Sequence, residues 1–291
     1  MKLPVKPYTI FQILLVVFSF FFLYAHAVAT LISDWSNDPN FSHGFFIVPM
    51  ALYMVWIKKE KLATMNPSPS NQGLFIIFFG VMIHLAGHTG AELFLMRFSM
   101  IVTLAGILVF FMGWTFLKAL IIPVIFLILM IPIPAIIWNK LAFPLQLLAA
   151  RLSSDLIQIL QIPVFREGNI LQLPNTSLEV VDACSGLRSL TSLIALTGLF
   201  AYIAPLTDFK KWVLFFSAIP IAVAVNVIRL TFTAAMAFWI SPDMAHGFLH
   251  DVSGMFIFVG ALALVYLVFS IERFFEKRQK NGIVHKTDPA S

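Results

Sequence analysis

The sequence predicts an all-α, polytopic membrane protein with about eight transmembrane helices, and three observations lead there. Hydrophobic residues make up 60% of the 291 positions and charged residues only 11%, with a mean hydropathy of +0.92. That balance cannot supply a water-facing surface and lies far from the soluble range. A helix needs about 20 mainly apolar residues to cross a hydrocarbon core about 30 Å thick, and about eight stretches approach that length. The third observation is charge: Lys and Arg exceed Asp and Glu by five, and the basic residues lie in short blocks beside the apolar runs, as in membrane topology signals rather than nucleic-acid surfaces. No nucleic-acid partner is expected; the lipid bilayer is.

In chain order the expected spans are 10–32, 43–57, 73–89, 98–114, 117–133, 184–204, 212–238 and 250–270, bounded by hydropathy and by flanking charge. Threading them alternately places Lys2, Lys6, Lys58, Lys59, Lys61, Lys118, Lys210, Lys211 and the cluster from Arg273 to Lys286 on one side. By the positive-inside rule that side is the cytoplasm, so both termini are expected there. The other side receives Arg97, Lys140, Arg151 and Arg166 against nine acidic residues, among them Asp34, Asp38, Glu179 and Asp251. Lys2 and Lys6 followed by an apolar run ending in Ala25-His26-Ala27-Val28-Ala29 also fit a cleaved signal peptide. Against this, the run from Ile10 to Ile32 exceeds a typical signal h-region, and its removal would leave an odd number of spans.

A single domain over residues 1–291 is expected, with residues 134–183 as an outer loop and 271–291 as a basic cytoplasmic tail. No repeat, low-complexity tract or second soluble domain is visible. Within the loop, Leu145, Leu148, Leu152, Leu156 and Ile159 recur at helical spacing, while Arg151, Ser154, Asp155 and Gln158 mark a polar face. That pattern predicts an interfacial amphipathic helix from Leu145 to Leu160. Val164 to Leu171 reads as a small β-hairpin turning at Gly168-Asn169, followed by an extended Ser177–Val181. A plain connecting loop is the alternative.

One cysteine, Cys184, excludes an internal disulfide framework and any multi-thiolate metal site. It stands where the outer loop enters the sixth span, so the helix N-terminus, with its free N–H groups and positive dipole end, lies beside it and favours thiolate. For a lone cysteine in a membrane protein the plainer reading is a buried, inert thiol. Arg229 lies within the seventh apolar run, where a charge opposes insertion by about 2.5–3.5 kcal/mol. Counted from Lys211-Trp212 at the inner interface, it sits about 26 Å along the helix, near the outer boundary. A snorkelling or structurally paired arginine is the alternative. His250 opens the eighth span at the same boundary, where the helix dipole disfavours imidazolium and leaves the ring able to exchange a proton near neutral pH. His246, four residues earlier, could take that role. A thiolate, an arginine and a histidine at one depth suit acyl transfer: attack on a peptide carbonyl, oxyanion stabilisation, and protonation of the leaving amine. Arg188, one turn below Cys184, could share the electrostatic work.

Ala183-Cys184-Ser185-Gly186-Leu187-Arg188, Asn226-Val227-Ile228-Arg229 and His250-Asp251-Val252-Ser253-Gly254 resemble, in order and spacing, the three signature regions of the exosortase/archaeosortase family. Phe41-Ser42-His43-Gly44 and Arg166-Glu167-Gly168-Asn169-Ile170 extend the resemblance over nearly the whole chain. It implies a membrane cysteine protease/transpeptidase with Cys184 as nucleophile, Arg229 as catalytic arginine and His250 as acid/base. Arg188, Asn226, His246 and His43 are supporting candidates. The substrates implied are exported proteins ending in a short Pro-Glu-Pro-like motif, a transmembrane helix and a basic cluster, passed after cleavage to an acceptor. A link to extracellular polysaccharide or surface assembly, a multi-pass place in the bacterial inner membrane and an active site facing the periplasmic side are implied as well. With the eighth span expected to end near residue 270, the extra C-terminal domain fused to some relatives is not expected. No cofactor and no metal are expected.

Two other classes compete. His84-Leu85-Ala86-Gly87-His88 sets two histidines at i and i+4 on the third span, as in a metal-dependent membrane enzyme, but lacks the glutamate of His-Glu-x-x-His; helix contacts are the plainer use of this pair. A transporter or polysaccharide-export component would place ionisable groups near the midplane and repeat its halves. Here the polar cluster lies at one face.

Overall fold

Inside hydrocarbon every backbone N–H and C=O has to find a partner within the protein, so apolar runs of this length fold as helices. The computed structural model describes residues 7–180, 187–242 and 248–287, with side chains for 11–180, 190–242 and 254–278. Each of the expected spans carries a helix. Among the described residues four helices are long and apolar enough to cross a membrane, and there are up to six spans if two bent helix pairs count as one each. The chain divides into two compact units, Met1–Ile133 and Pro134–Ser291.

In the first unit, α1 (Pro7–Leu23) and α2 (Ala25–Asn37) form the first expected span, broken at Tyr24 with a bend of 62°. The hinge keeps its helical bonds, Tyr24 N to Phe20 O at 3.0 Å and Val28 N to Tyr24 O at 2.9 Å. The Tyr24 ring is wholly buried, and its hydroxyl shares a 2.7 Å hydrogen bond with Thr103. There follow α3 (Gly44–Ile57), α4 (Lys59–Thr64), α5 (Gln72–Thr89), α6 (Leu93–Met112) and α7 (Trp114–Phe126), the last prolonged by a 3₁₀ turn over Leu127–Met130. Gly73, Gly80 and Gly87 recur every seven residues on α5 and let α6 approach at backbone distance. A Cβ on Gly73 would collide with the Phe110 backbone, and one on Gly80 with Thr103. A Cβ on Gly87 would lie 2.8 Å from Met96 N.

The second unit comprises α8 (Ala135–Ile159), β1 (Phe165–Glu167), β2 (Ile170–Gln172), β3 (Ser177–Glu179), α9 (Leu187–Ile203), α10 (Asp208–Trp239) and α11 (Phe248–Thr287). The strands form an antiparallel sheet in the order β1-β2-β3, with Glu167 opposite Ile170 and Leu171 opposite Leu178. The hairpin turns at Gly168, whose φ is +62°, a conformation that suits glycine.

The expected amphipathic helix is present but starts ten residues earlier, running through Pro144, and it has three faces rather than two. Leu148, Leu152, Leu156 and Ile159 stay exposed, as a lipid-facing stripe would. A separate stripe of Ala142, Ala149, Ala150, Ser153 and Ile157 is buried. Small side chains there let α8 close on α10, where the Ser153 hydroxyl donates to Val227 O at 3.4 Å.

Candidate active site

Helix α10 is the scaffold of the site, because it packs against α8, α9 and α11 together. One flank, through Val227, Leu230 and Ala234, joins a core with Ala150 and Ile157 of α8 and Leu171 and Val180 beside them. The other, through Leu214, Ala218, Ala222 and Val225, joins a core with Leu193 of α9 and Ala261 and Val265 of α11. Asn226 and Arg229, three residues apart and therefore on one helix face, continue the stripe of Ala222 and Val225 towards the end of this second core. Both are buried, Asn226 at 3% and Arg229 at 8% exposure.

The opposite end of the unit is tied by charge. Lys210 Nζ donates to Glu272 O at 3.0 Å and lies 3.8 Å and 3.9 Å from the carboxylates of Glu272 and Glu276. Thr207 N adds a hydrogen bond to Glu276 Oε2 at 3.2 Å. These contacts fix the antiparallel register of α10 and α11, and at 1.5 Å per residue they lie about 27–29 Å from the level of Arg229 and Gly254. That is about the thickness of a bilayer core. The two helices thus carry a charged cluster near one end of a membrane-length segment and the buried Arg229 near the other.

At the Arg229 end the register brings Gly254 of α11 against the guanidinium: a Cβ on Gly254 would meet Arg229 Nη1 at 3.8 Å, ordinary van der Waals contact. Position 250 stands one turn before Gly254 in the first turn of α11, so the signature segments 226–229 and 250–254 converge. Arg188 falls in the first turn of α9, which packs with α10 and α11. Cys184 and His246 lie outside the described residues, as do the side chains of Arg188 and His250. The sequence named Gly254 only as the end of a pattern. Its use as the seat for a guanidinium requires the helix pairing and could not be read locally.

His43 belongs to the first unit. Its Nε2 lies 3.2 Å from Leu129 O, and the Trp35 indole N–H donates to Met130 O at 2.9 Å. Both side chains therefore satisfy carbonyls of the 3₁₀ turn, which a short helix end would otherwise leave open. Gly44 makes this possible, since a Cβ there would run into the Trp35 ring. Sequence reading alone does not reveal an ion pair with one buried partner: Arg97 on α6, 2% exposed, lies 2.7 Å from the half-exposed Asp34 on α2. Asp34 and Arg97 had counted only as boundary charges, and their separation in sequence hides the pairing. His84 and His88 stack with ring centres 6.5 Å apart, and His84 meets the Tyr24 ring edge-on at 4.8 Å. Among the described residues no three His, Cys, Asp or Glu side chains form a metal-binding group.

No curated protein and no solved structure matches the chain. The family model described as transmembrane exosortase matches residues 35–267, a range that starts at the indole capping the 3₁₀ turn and takes in the site on α10 and most of α11's apolar length. By that match the chain belongs to the transmembrane exosortase family, enzymes of the membrane transpeptidase type.

Proposed function

We propose that this exosortase is a cysteine-type transpeptidase that cuts the C-terminal sorting signals of exported proteins at the outer face of the bacterial inner membrane, within an eight-span arrangement with both termini inside. The Cys184 thiolate attacks the scissile carbonyl carbon, and Arg229 stabilises the oxyanion that forms. As the C–N bond breaks, His250 gives the leaving amine the proton it took from the Cys184 thiol, and the acyl chain stays on Sγ as a thioester. An acceptor nucleophile, or water, then displaces the thiolate as its proton passes to His250. His246 is the alternative proton donor, and Arg188, Asn226 and His43 are supporting candidates. The substrates are membrane proteins ending in a short Pro-Glu-Pro-like motif, an apolar helix and a basic cluster, with a link to extracellular polysaccharide or surface assembly.

The observation that carries this reading is Arg229: a guanidinium buried in an apolar helix, against a glycine about one turn beyond position 250 on α11. A positive charge kept inside such a span marks a functional site by default.

The test is mass spectrometry of the enzyme after brief exposure to a substrate bearing the sorting signal, which should show an acyl adduct on the peptide containing Cys184. Cys184→Ala and Cys184→Ser should insert normally, leave substrate uncut and show no adduct, because an alcohol is barely ionised where a thiol ionises. His250→Ala should slow acylation by about 10²–10⁴, and His246→Ala far less. Full processing by Cys184→Ala would overturn the cysteine mechanism and move the metal-dependent alternative to the front.

A further inference from the structure

Asn226 is buried to within 3% of its surface, and among the described residues neither its Oδ1 nor its Nδ2 has a hydrogen-bond partner. A carboxamide carries one acceptor oxygen and two N–H donors, and burying it unbonded in an apolar span works against folding. Among the described residues nothing in the packing asks for it: its neighbours Val225 and Val227 fill the two cores on either side. Its position among those residues is three before Arg229, on the face that meets α11 near Gly254.

We infer that Asn226 binds the substrate's main chain: Nδ2 donates to the C=O, and Oδ1 accepts the N–H, of one residue in an extended segment beside the scissile bond. The inference rests on the peptide-processing reading above. A peptide bond next to a transmembrane helix can be cut only when the chain there is unwound, and unwinding frees N–H and C=O groups where little water can satisfy them. A buried carboxamide with both of its functions open answers both needs at once. A phosphate or carboxylate would use the donors alone and leave Oδ1 facing an anion. An oxyanion-hole role would also use Nδ2 only and leave Oδ1 orphaned. Asn226 is thus a substrate-binding residue, with no part in proton transfer.

The test uses the full-length protein in detergent micelles. The probe is a synthetic peptide with a Pro-Glu-Pro-like motif, an apolar helix and a basic cluster, and a series of it in which successive backbone amides around the motif are replaced by esters, each losing one N–H. Binding is measured to Cys184→Ala protein with Asn226 intact and with Asn226→Leu, nearly the same size without the amide. Asn226→Leu should bind about tenfold to a hundredfold more weakly, as expected for two lost hydrogen bonds, while its melting temperature holds or rises because an unpartnered polar group has gone. One ester position should weaken binding to the Asn226 protein several-fold and leave Asn226→Leu unaffected. Equal loss at every ester position in both proteins would overturn the assignment. So would a folded Asn226→Leu that binds as well as its parent, or an Asn226→Leu that fails to fold, since either makes the carboxamide a structural group. If the native enzyme neither binds nor cuts the unmodified peptide, the peptide-processing reading itself fails; binding and cleavage without coupling to Asn226 would remove this inference alone.

Discussion

A guanidinium stays inside a membrane helix only where its charge has work or company, and on the catalytic reading proposed above a shorter or rounder cation at position 229 would not substitute. Its planar fork offers donors in fixed directions, whereas a lysine ammonium is a compact point charge on a flexible stem. Arg229→Lys should therefore lose most processing while inserting normally; near-normal processing by a well-expressed Arg229→Ala protein would return the residue to a structural part. Gly254 belongs to the same argument from the other helix. A methyl group there would make only ordinary contact with Nη1, at 3.8 Å, so Gly254→Ala should keep most activity. Gly254→Leu should drive branched carbons into the guanidinium and abolish activity, which a comparison of the two variants at equal expression checks. The sequence exposed Arg229 at once, because a charge in an apolar run stands out. It could not expose Gly254 as the neighbour, because a missing side chain leaves no chemical signature until another helix arrives.

Between α5 and α6, and between α8 and α10, small residues decide how closely helices approach, in the way typical of membrane bundles. A Cβ on Gly80 would overlap the Thr103 hydroxyl that is bonded to Tyr24, so any side chain there has to displace it. Gly80→Leu should lower stability by about 1–3 kcal/mol through overpacking, read as an earlier thermal transition in detergent; an unchanged transition would show that the helices have slack. The glycine spacing on α5 was present in the sequence, but its meaning depends on which helix lies opposite. The same holds for α8. Its leucine stripe and charged residues were legible as an amphipathic helix, yet Ser154, expected on the polar face, is buried. The stripe that packs is made mostly of alanine and serine, small residues that carry a weak hydropathy signal. The helix also continues ahead of Pro144, where a proline in sequence suggests a boundary although the missing N–H removes only one bond.

For the whole molecule, charge distribution predicts the orientation and a reporter can test it. A fusion partner active only outside the cytoplasm should work near Asn175 and fail near Lys210 or after Lys280; the reverse pattern would remove an outer-face active site altogether. The sequence by itself determined the membrane class, the helices over each expected span, the hairpin at Gly168-Asn169, the extended run from Ser177 and, through its signature segments, the exosortase family. The family follows from the resemblance of short signature segments and the rest from hydropathy and turn chemistry, all properties of short windows that can be read in order along the chain. Tertiary structure alone decided the hinge at Tyr24, the Arg97–Asp34 pair at 2.7 Å, the caps that Trp35 and His43 place on a 3₁₀ turn, and the seat of Arg229 against Gly254. Each of these joins residues far apart in sequence, and which partners meet is fixed by how closely helices pack and in what register, a quantity that no single window contains.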